Sequence, residues 1–375
     1  MALYGLRARL AEIAPLAKAP SAEIVGQIES ELDARSVDAP RIVFVDGRFA
    51  AGASRLGALP HGVSVRQSDE APAWPEVARE EATIALNAAF AMSATVIEIA
   101  AGADIAEPIA IWSFVTSASQ TYARVVVRVG AGARATIVET HDGEGAGAHQ
   151  KNSALILEIG DDARVEHIAR HVDESGEATH VASFAATLGA RAQLDSFALV
   201  AGGALTRRQL YVRFDGDHAR IALRGAALLR GAQHCDTTLI VDHAGLHCES
   251  RERFKHIVED EATGVYQGKV IVRPGAQKTD GAMKSDAILL SESARMHNKP
   301  ELEIFADDVV CGHGATVGAL DDEQLFYLRA RGLPKAEAET LLLEAFAGEV
   351  IEAVSDEGQR DDLADAVRAW LAERS

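Results

Sequence analysis

Four segments of this chain repeat one plan at a nearly constant spacing, and this repeat limits the fold more than any other sequence feature. Each segment reads as a strand, a glycine-containing turn, an Ala-Arg pair and a second strand. The turn glycines Gly130, Gly160, Gly189 and Gly216 lie 30, 29 and 27 residues apart, a period typical of repeat architectures. The segments are RVVVRVGAGARATIVET (124–140), ALILEIGDDARVEHIARH (154–171), SFAATLGARAQLDSFALV (183–200) and QLYVRFDGDHARIALRG (209–225).

The repeat predicts a mainly β protein built as a β-solenoid. One unit of this size cannot bury its own apolar face, so stacked units must share a continuous core. The alternative is a sandwich of hairpins, in which each glycine turn joins antiparallel neighbours and the spacing is incidental. The periodic spacing favours the solenoid, in the form of a β-helix.

Helical periodicity precedes the repeats. Apolar residues recur at steps of three and four over residues 3–16, over residues 24–32 after the cap residue Ser21, and again over residues 75–90. Between them, residues 42–49 predict a small hairpin around Asp46-Gly47, because this pair suits a turn that needs positive φ.

Helical periodicity also follows the repeats. Asp321 with Gln324 three residues later resembles a capping box, and Gly332 with Pro334 separates one helix from the next. The apolar positions of this domain exceed what three short helices need to pack among themselves, so we expect Leu325, Phe326, Leu328 and Phe346 to serve partly in partner docking. The alternative is that they form the domain's own core. The predicted domains are an N-terminal helical region with a hairpin (1–92), a β-helix core (93–318) and a C-terminal helical docking domain (319–375).

The charge balance excludes some classes of partner. The chain carries 37 basic and 56 acidic side chains, a net charge of −19, and affinity for nucleic acid comes largely from basic groups that neutralise phosphates. We therefore expect neither nucleic acid nor membrane as a partner. The chain has only three cysteines, no secretory signal and no apolar run of the roughly 20 residues that a bilayer requires. These features predict a cytoplasmic protein.

Cys311 and His313 are the first candidate site. Side chains two apart on a strand point to the same face, so an extended segment over residues 309–316 places them side by side. A thiolate and an imidazole suit iron, zinc or an iron–sulfur cluster. Because such centres generally need four ligands, a metal here would be shared with another segment or chain; the alternative is a buried cysteine beside a hydrogen-bonded histidine.

A second group of ligand-type residues lies in HCDTTLIVDHAGLHC. The spacing matches no zinc-binding pattern, so a structural role is favoured over a metal site. The group comprises His234, Cys235, His243, His247 and Cys248.

Motifs for nucleotide binding and for serine hydrolysis are absent from the sequence. GVYQGKV (264–270) misses the P-loop spacing, so we expect no nucleotide bound by this chain and no catalytic residues. The alternative function is a polysaccharide-active, lyase-like β-helix enzyme, suggested by the charged patch of Lys278, Asp280, Lys284 and Asp286.

The stretch KPELEIFADDVVCGHGATVGALDDEQLFYLRARG (299–332) resembles the hallmark region of the SufB/SufD family of iron–sulfur cluster assembly scaffolds, on its SufD side. GKVIVRPGAQKTDG (268–281) and the group of His243, His247, Cys248 and Ser250 are also similar. The match runs in register from about Val265 to Val350 and more loosely from residue 85 onward.

The resemblance implies a right-handed parallel β-helix between helical ends and a non-catalytic scaffold role in a SufBCD-type complex. It implies two partners: a homologous SufB-like subunit, and a SufC-like ABC ATPase that docks on the C-terminal helices. It also implies that Cys311 and His313 are ligands of a transient iron or nascent cluster shared with the partner chain. We further expect that the isolated chain can pair with itself through exposed strand edges.

Overall fold

The computed structural model describes residues 14–35, 40–70, 74–78, 81–143 and 145–374. Nineteen strands and five α-helices make up its regular structure, with short 3₁₀ turns at Leu56–Ala58 and Glu76–Ala78. The helices are α1 (Ala22–Arg35), α2 (Ala82–Phe90), α3 (Asp322–Ala330), α4 (Lys335–Ile351) and α5 (Glu357–Ala372).

The strands, in chain order, are β1 (Arg41–Val45), β2 (Arg48–Phe49), β3 (Val63–Ser68), β4 (Ala94–Ile99), β5 (Ile109–Phe114), β6 (Gln120–Val129), β7 (Arg134–Asp142), β8 (Gln150–Ile159), β9 (Arg164–Asp173), β10 (Thr179–Leu188), β11 (Gln193–Val200), β12 (Leu205–Phe214), β13 (Arg220–Leu229), β14 (His234–His243), β15 (Glu249–Val258), β16 (Thr263–Val272), β17 (Asp280–Leu289), β18 (Arg295–Ile304) and β19 (Val310–Gly318).

Successive strands alternate between two sheets. Sheet A has the order β18-β16-β14-β12-β10-β8-β6-β4-β3, and sheet B has the order β19-β17-β15-β13-β11-β9-β7-β5-β1-β2. Each strand of the repeats pairs in parallel with the strand two positions along the chain, as β8 does with β10 and β9 with β11. This parallel pairing confirms the predicted β-solenoid, since a sandwich of hairpins would pair consecutive strands antiparallel.

The repeated turn glycines are explained by close approach between coils. A Cβ atom on Gly160 would lie 2.8 Å from Ala131 N of the preceding coil, and one on Gly216 would overlap Ala190 N. Neither glycine has a positive φ, so the requirement is space and not backbone conformation. A glycine in each of the turns after β6, β8, β10 and β12 lets that turn stack on the turn before it, which produces the observed period.

The strands of the middle coils are buried on both faces, which explains their nearly continuous apolar sequences. Val125, Val127 and Leu155 point into the core between the sheets, whereas Val126 and Ile156 lie on the outer face of sheet A under α2. The outer face of sheet B is covered by α4 and α5. This second packed layer includes Ile168, Leu199, Leu228, Ile257, Leu343, Ala347, Val367 and Leu371.

The N-terminal region contributes strands to both sheets. The predicted hairpin is present as β1 and β2, with Asp46 at φ 50° and Gly47 at φ 78°. β1 also pairs in parallel with β5, so the strand order of sheet B includes residues from before the predicted boundary at residue 92. The helix predicted over residues 24–32 is confirmed, and Ile24 N donates to Ser21 Oγ at 3.2 Å.

The helix predicted over residues 3–16 falls largely on residues 1–13, which lie outside the described residues. Of the remainder, Leu16 forms an isolated parallel bridge with Gln120. At the other end of the chain, Asp321 caps α3 and accepts hydrogen bonds from Glu323 N and Gln324 N, as the capping pattern predicts. Among the described helices, none is both long and apolar enough to span a membrane.

Candidate metal centre at the end of sheet B

Cys311 and His313 lie on the last strand of sheet B. Within the described part of the chain, β19 pairs only with β17, with Cys311 opposite Gly281 and His313 opposite Met283. Residues two apart on a strand share a face, and Cys311 packs at the border of the core between the sheets. Cys311 is half-buried and His313 is exposed, so a thiol and an imidazole stand side by side at an open end of the solenoid.

The Cys311 thiol is protonated at neutral pH in this environment. Burial raises its pKa; a hydrogen bond from the Gly281 backbone opposes this effect, and the charges of Asp280 and Glu252 add to it. The thiolate is the form that binds a metal, so a cation must displace the thiol proton. Metal binding at this thiol would therefore require loss of that proton.

A buried acid lies in line with this site. Glu252 pairs with Met283 across β15 and β17, and Met283 pairs with His313. Glu252 is fully buried, and neither carboxylate oxygen has a hydrogen-bonding partner among the described residues. Burial raises the pKa of Glu252 to about 7, against a smaller opposing effect of the nearby Ser250 hydroxyl. The core beside the candidate centre thus holds an acid that titrates near neutral pH.

No sequence motif marks Glu252, but the alternation along β15 carries a signal. Ser250, Glu252 and Phe254 occupy the inward phase of the strand, whereas Arg251 and Arg253 occupy the outward phase and are exposed. Because strand side chains alternate with a period of two, an acid in phase with a core phenylalanine is predicted to be buried.

The second group of ligand-type residues is not brought together. His243 lies eight residues from Cys235 on β14, about 26 Å along the strand. His243 Nε2 is 3.0 Å from Ser250 Oγ, and the His247 ring stacks on His218. Cys248 Sγ lies 3.3 Å from Gly216 O. Burial raises the pKa of Cys235 to about 12 and that of Cys248 to about 11. These contacts describe packing within the solenoid and not a metal site.

The charged patch behind the enzyme alternative is a set of ion pairs. Lys278 pairs with Asp308, Asp280 with Arg251 at 2.7 Å, and Asp286 with both Lys284 and Lys255 at 3.3 Å. Each carboxylate is matched by a cation on its own or a neighbouring coil. Three of the four pairs join neighbouring coils, and the Lys255–Asp286 pair is buried.

The predicted docking residues fall into two groups. None of the residues of α3, all of them described, is buried, and Phe326 is 73% exposed. Phe346, by contrast, packs against the layer between α4 and sheet B, and Lys255 Nζ lies 4.2 Å from the centre of its ring. Leu325 and Leu328 are half-buried. Phe326 is therefore free for a partner, and Phe346 belongs to the domain's own packing.

No sequence motif marks a second feature, a group of buried histidines inside the solenoid. His141, His171 and His180 come from three different strands and have ligand atoms within 4.8 Å of one another. His141 and His171 are 30 residues apart, which equals the repeat period and places them on adjacent coils. That spacing is the only trace of the group in the sequence.

Comparison with known proteins identifies the family. The family model for the SUF system FeS cluster assembly, SufBD core domain, matches residues 114–346. The iron–sulfur cluster assembly protein SufD of Escherichia coli is 31% identical over 335 residues, which cover 88% of this chain and 79% of that protein. A SufBD family protein of Synechocystis is 29% identical, covering 84% of this chain and 74% of the relative.

The SufD protein of Bacillus subtilis is 35% identical over 138 residues, covering 37% of this chain and 32% of that protein. These similarities agree with the family resemblance seen in the sequence. On this evidence the chain belongs to the SufBD family of SUF-system iron–sulfur cluster assembly proteins.

Proposed function

We propose that this chain is a non-catalytic scaffold subunit that supplies Cys311 and His313 as ligands to iron or to a nascent iron–sulfur cluster. The observation that carries the proposal is the placement of a thiol and an imidazole side by side on an open edge strand. Both groups bind iron. The metal is cargo, held during assembly and then released.

Two ligands from one chain require the rest from a partner, since clusters generally take four. The surroundings of the edge support a protein partner: Val310 is 73% and Phe305 is 60% exposed, and no residue of β18 or β19 is buried. A second, SufB-like solenoid could extend the sheets and bury these apolar side chains. Its ligands would complete the coordination of the ion.

The same edge explains why the cargo would be transient. The raised pKa of Cys311 means that a proton competes with the metal for the sulfur whenever the partner's ligands withdraw. Opening the interface would therefore weaken the cluster's hold on this chain. Closing it would restore a site with the full ligand set.

We further propose that a SufC-like ABC ATPase drives this opening by docking on α3. The exposed side chains of Phe326 and Tyr327 lie on this helix, and exposed aromatic residues are common anchors of protein interfaces. The sequence of this chain has no P-loop, so the energy of ATP would have to come from such a partner.

The first test measures iron in the complex purified without oxygen. Cys311→Ser and His313→Ala should keep the solenoid folded, because Cys311 is only half-buried and His313 is exposed, while iron in the complex falls several-fold. His297→Ala is the matched control, since His297 is an exposed histidine on β18, the last strand of sheet A. Unchanged iron and unchanged maturation of a target protein in both site variants would refute the assignment.

The second test separates the two docking surfaces. Phe326→Ala should weaken binding of the ATPase and leave the homologous subunit bound, whereas Phe305→Ala should do the reverse. Each variant is the control for the other, because both remove an exposed phenyl ring. Analytical ultracentrifugation of the reconstituted subunits measures both affinities. Loss of the same partner in both variants would contradict the placement of the two surfaces.

A further inference from the structure

A compact group of three histidines lies inside the middle coils of the solenoid, away from the candidate centre on β19. His141 is on β7, His171 on β9 and His180 on β10, so both sheets contribute. All three are buried, with exposures of 3%, 2% and 0%. One ring nitrogen of each lies within 4.8 Å of one ring nitrogen of each of the others. We call these three residues the histidine cluster.

The geometry of the cluster leaves ring nitrogens facing one another. His171 Nδ1 and His180 Nδ1 are 3.3 Å apart, and His141 Nδ1 has no hydrogen-bonding partner among the described residues although it is buried. A cavity of about 20 Å³ is lined in part by His141 and His171. Volume of this size accommodates a single small occupant.

The three imidazoles are neutral near pH 7. Burial lowers the pKa of His180, and it lowers the pKa values of His141 and His171 to well below the ordinary value for histidine. The Lys151 ammonium lowers all three further. A neutral imidazole carries a free lone pair on one nitrogen, which is the form that binds transition metals.

A carboxylate adjoins the histidine cluster at His180. Glu174 Oε1 is 3.2 Å from His180 Nδ1 and 3.3 Å from Lys151 Nζ, and Glu174 Oε2 is 2.8 Å from His149 Nε2. Burial would raise the pKa of Glu174, but the Lys151 charge and the hydrogen bonds from His149 and His180 together hold it well below the ordinary value. An ionised oxygen ligand therefore adjoins the cluster.

We propose that the histidine cluster binds a divalent first-row transition metal ion, with Glu174 as the oxygen ligand. Two nitrogens on one tetrahedral ion lie about 3.3 Å apart when each bond is about 2.0–2.1 Å, which is the separation of His171 Nδ1 and His180 Nδ1. His141 closes the remaining distance by a side-chain adjustment of up to about 1.5 Å. The proposal does not rest on the cargo site at β19.

Proton positions are consistent with this coordination. When His180 binds through Nδ1, its proton resides on Nε2, where Ser153 Oγ accepts it at 2.8 Å; such a partner fixes the orientation of a ligating imidazole. The charges that face the cluster are Lys151 and Arg208 against Glu174 and Glu139.

A neighbouring histidine shows what a purely structural histidine looks like in the same core. His167 is equally buried, yet both of its ring nitrogens are paired, Nδ1 with Ser196 Oγ at 2.9 Å and Nε2 with Glu139 Oε2 at 3.0 Å. His141 has an unpaired nitrogen next to two further ligands. The contrast makes His167→Gln a matched control for substitutions in the cluster.

The test uses the full, tag-free chain with Cys311→Ser and His313→Ala, so that the edge cannot hold metal. After incubation with Zn²⁺ or Co²⁺ and dialysis, one equivalent should be retained, and Co²⁺ should show the visible absorption of a four-coordinate nitrogen and oxygen site. His141→Gln and His171→Gln should lose the ion and the absorption, and His167→Gln should keep both.

X-ray absorption of the zinc-loaded chain covers the case in which the substituted chains do not fold. The expected spectrum shows imidazole scattering from three histidines and no sulfur. Absence of retained metal in the parent chain, retention in His141→Gln and His171→Gln equal to that of the parent chain, or sulfur ligation would each overturn the proposal. None of these outcomes depends on the scaffold function, which is tested separately through Cys311 and His313.

Discussion

Replacing Glu252 by glutamine should remove a pH dependence of stability that originates inside the solenoid. Glu252 is fully buried with both oxygens unpaired, and burial raises its pKa from an ordinary 4.5 to about 7. The folded state thus binds this proton more tightly than the unfolded chain does. The stabilisation from the proton is fully present below pH 4.5 and is lost as the pH rises through about 7.

The magnitude follows from the two pKa values. Each pH unit of displacement corresponds to about 1.36 kcal/mol, so a change from 4.5 to about 7 is worth about 3 kcal/mol in the free energy of unfolding. Between about pH 5 and about pH 8 the wild-type protein should lose roughly 2.5 kcal/mol through this residue. Glu252→Gln has no proton to lose, so the difference between the two proteins should change by that amount.

Urea unfolding at about pH 5 and about pH 8, followed by circular dichroism, measures the difference. Glu292→Gln is the control, because Glu292 is an exposed glutamate in a turn of the same region. Burial also lowers the pKa values of His243 and His256 to about 4, but their contribution is common to all three proteins and cancels. A wild-type-to-variant difference that is the same at both pH values would refute the buried, unpaired state of Glu252.

Two further predictions concern packing, and each has a matched partner. Gly216→Ala should destabilise the protein by about 1–3 kcal/mol, because the new Cβ would overlap Ala190 N. Its partner variant, Gly275→Ala, should change stability by less than about 0.5 kcal/mol, because no atom lies within 4 Å of the Cβ that it adds. Leu343→Ala should lower the free energy of unfolding by about 2–5 kcal/mol, because Leu343 is fully buried between α4 and sheet B. Leu341→Ala should change it by no more than about 0.5 kcal/mol, because the Leu341 side chain is 46% exposed. Urea or thermal unfolding checks both pairs, and equal losses within a pair would contradict the packing described for it.

The solenoid could be predicted from the sequence because its cause is local and periodic. The turns after β6, β8, β10 and β12 each need a glycine where the turn stacks on the previous one, so Gly130, Gly160, Gly189 and Gly216 mark the period directly. The parallel pairing of β1 with β5 could not be predicted in this way. Ile42 and Ile111 are partners in that pairing, and nothing in the local pattern of either segment states which distant strand it joins.

The candidate sites differ in the same way: a site within one strand could be predicted from the sequence, whereas a site formed by several strands could not. Cys311 and His313 could be placed together because two positions on one strand share a face, which is a property of the local backbone. Glu252 and His313 come into line only because three strands of sheet B stack in register. The histidine cluster likewise combines residues from adjacent coils and from both sheets, so it becomes visible only once the register of the coils is known.

The two ends of the solenoid differ in a way that bears on where a partner would bind. At the N-terminal end, β2 pairs antiparallel with β1 and β3 pairs antiparallel with β4, so an antiparallel strand ends each sheet. At the other end the last strands, β18 and β19, continue the parallel ladder, and within the described residues no further strand pairs with them.

An unpaired edge of this kind presents free backbone donors and acceptors together with exposed Val310 and Phe305, and such an edge promotes association with another chain. A monomeric protein would be expected to protect this C-terminal end of the solenoid with an antiparallel strand, as β2 and β3 protect the N-terminal end. The unprotected end is also the one that carries Cys311 and His313, the two ligands proposed above, and a cluster bound through them would need the same thing as the open ladder, a second chain. This coincidence of an open edge and two proposed ligands supports an interface at β18 and β19 as the place where this family member would hold its cargo.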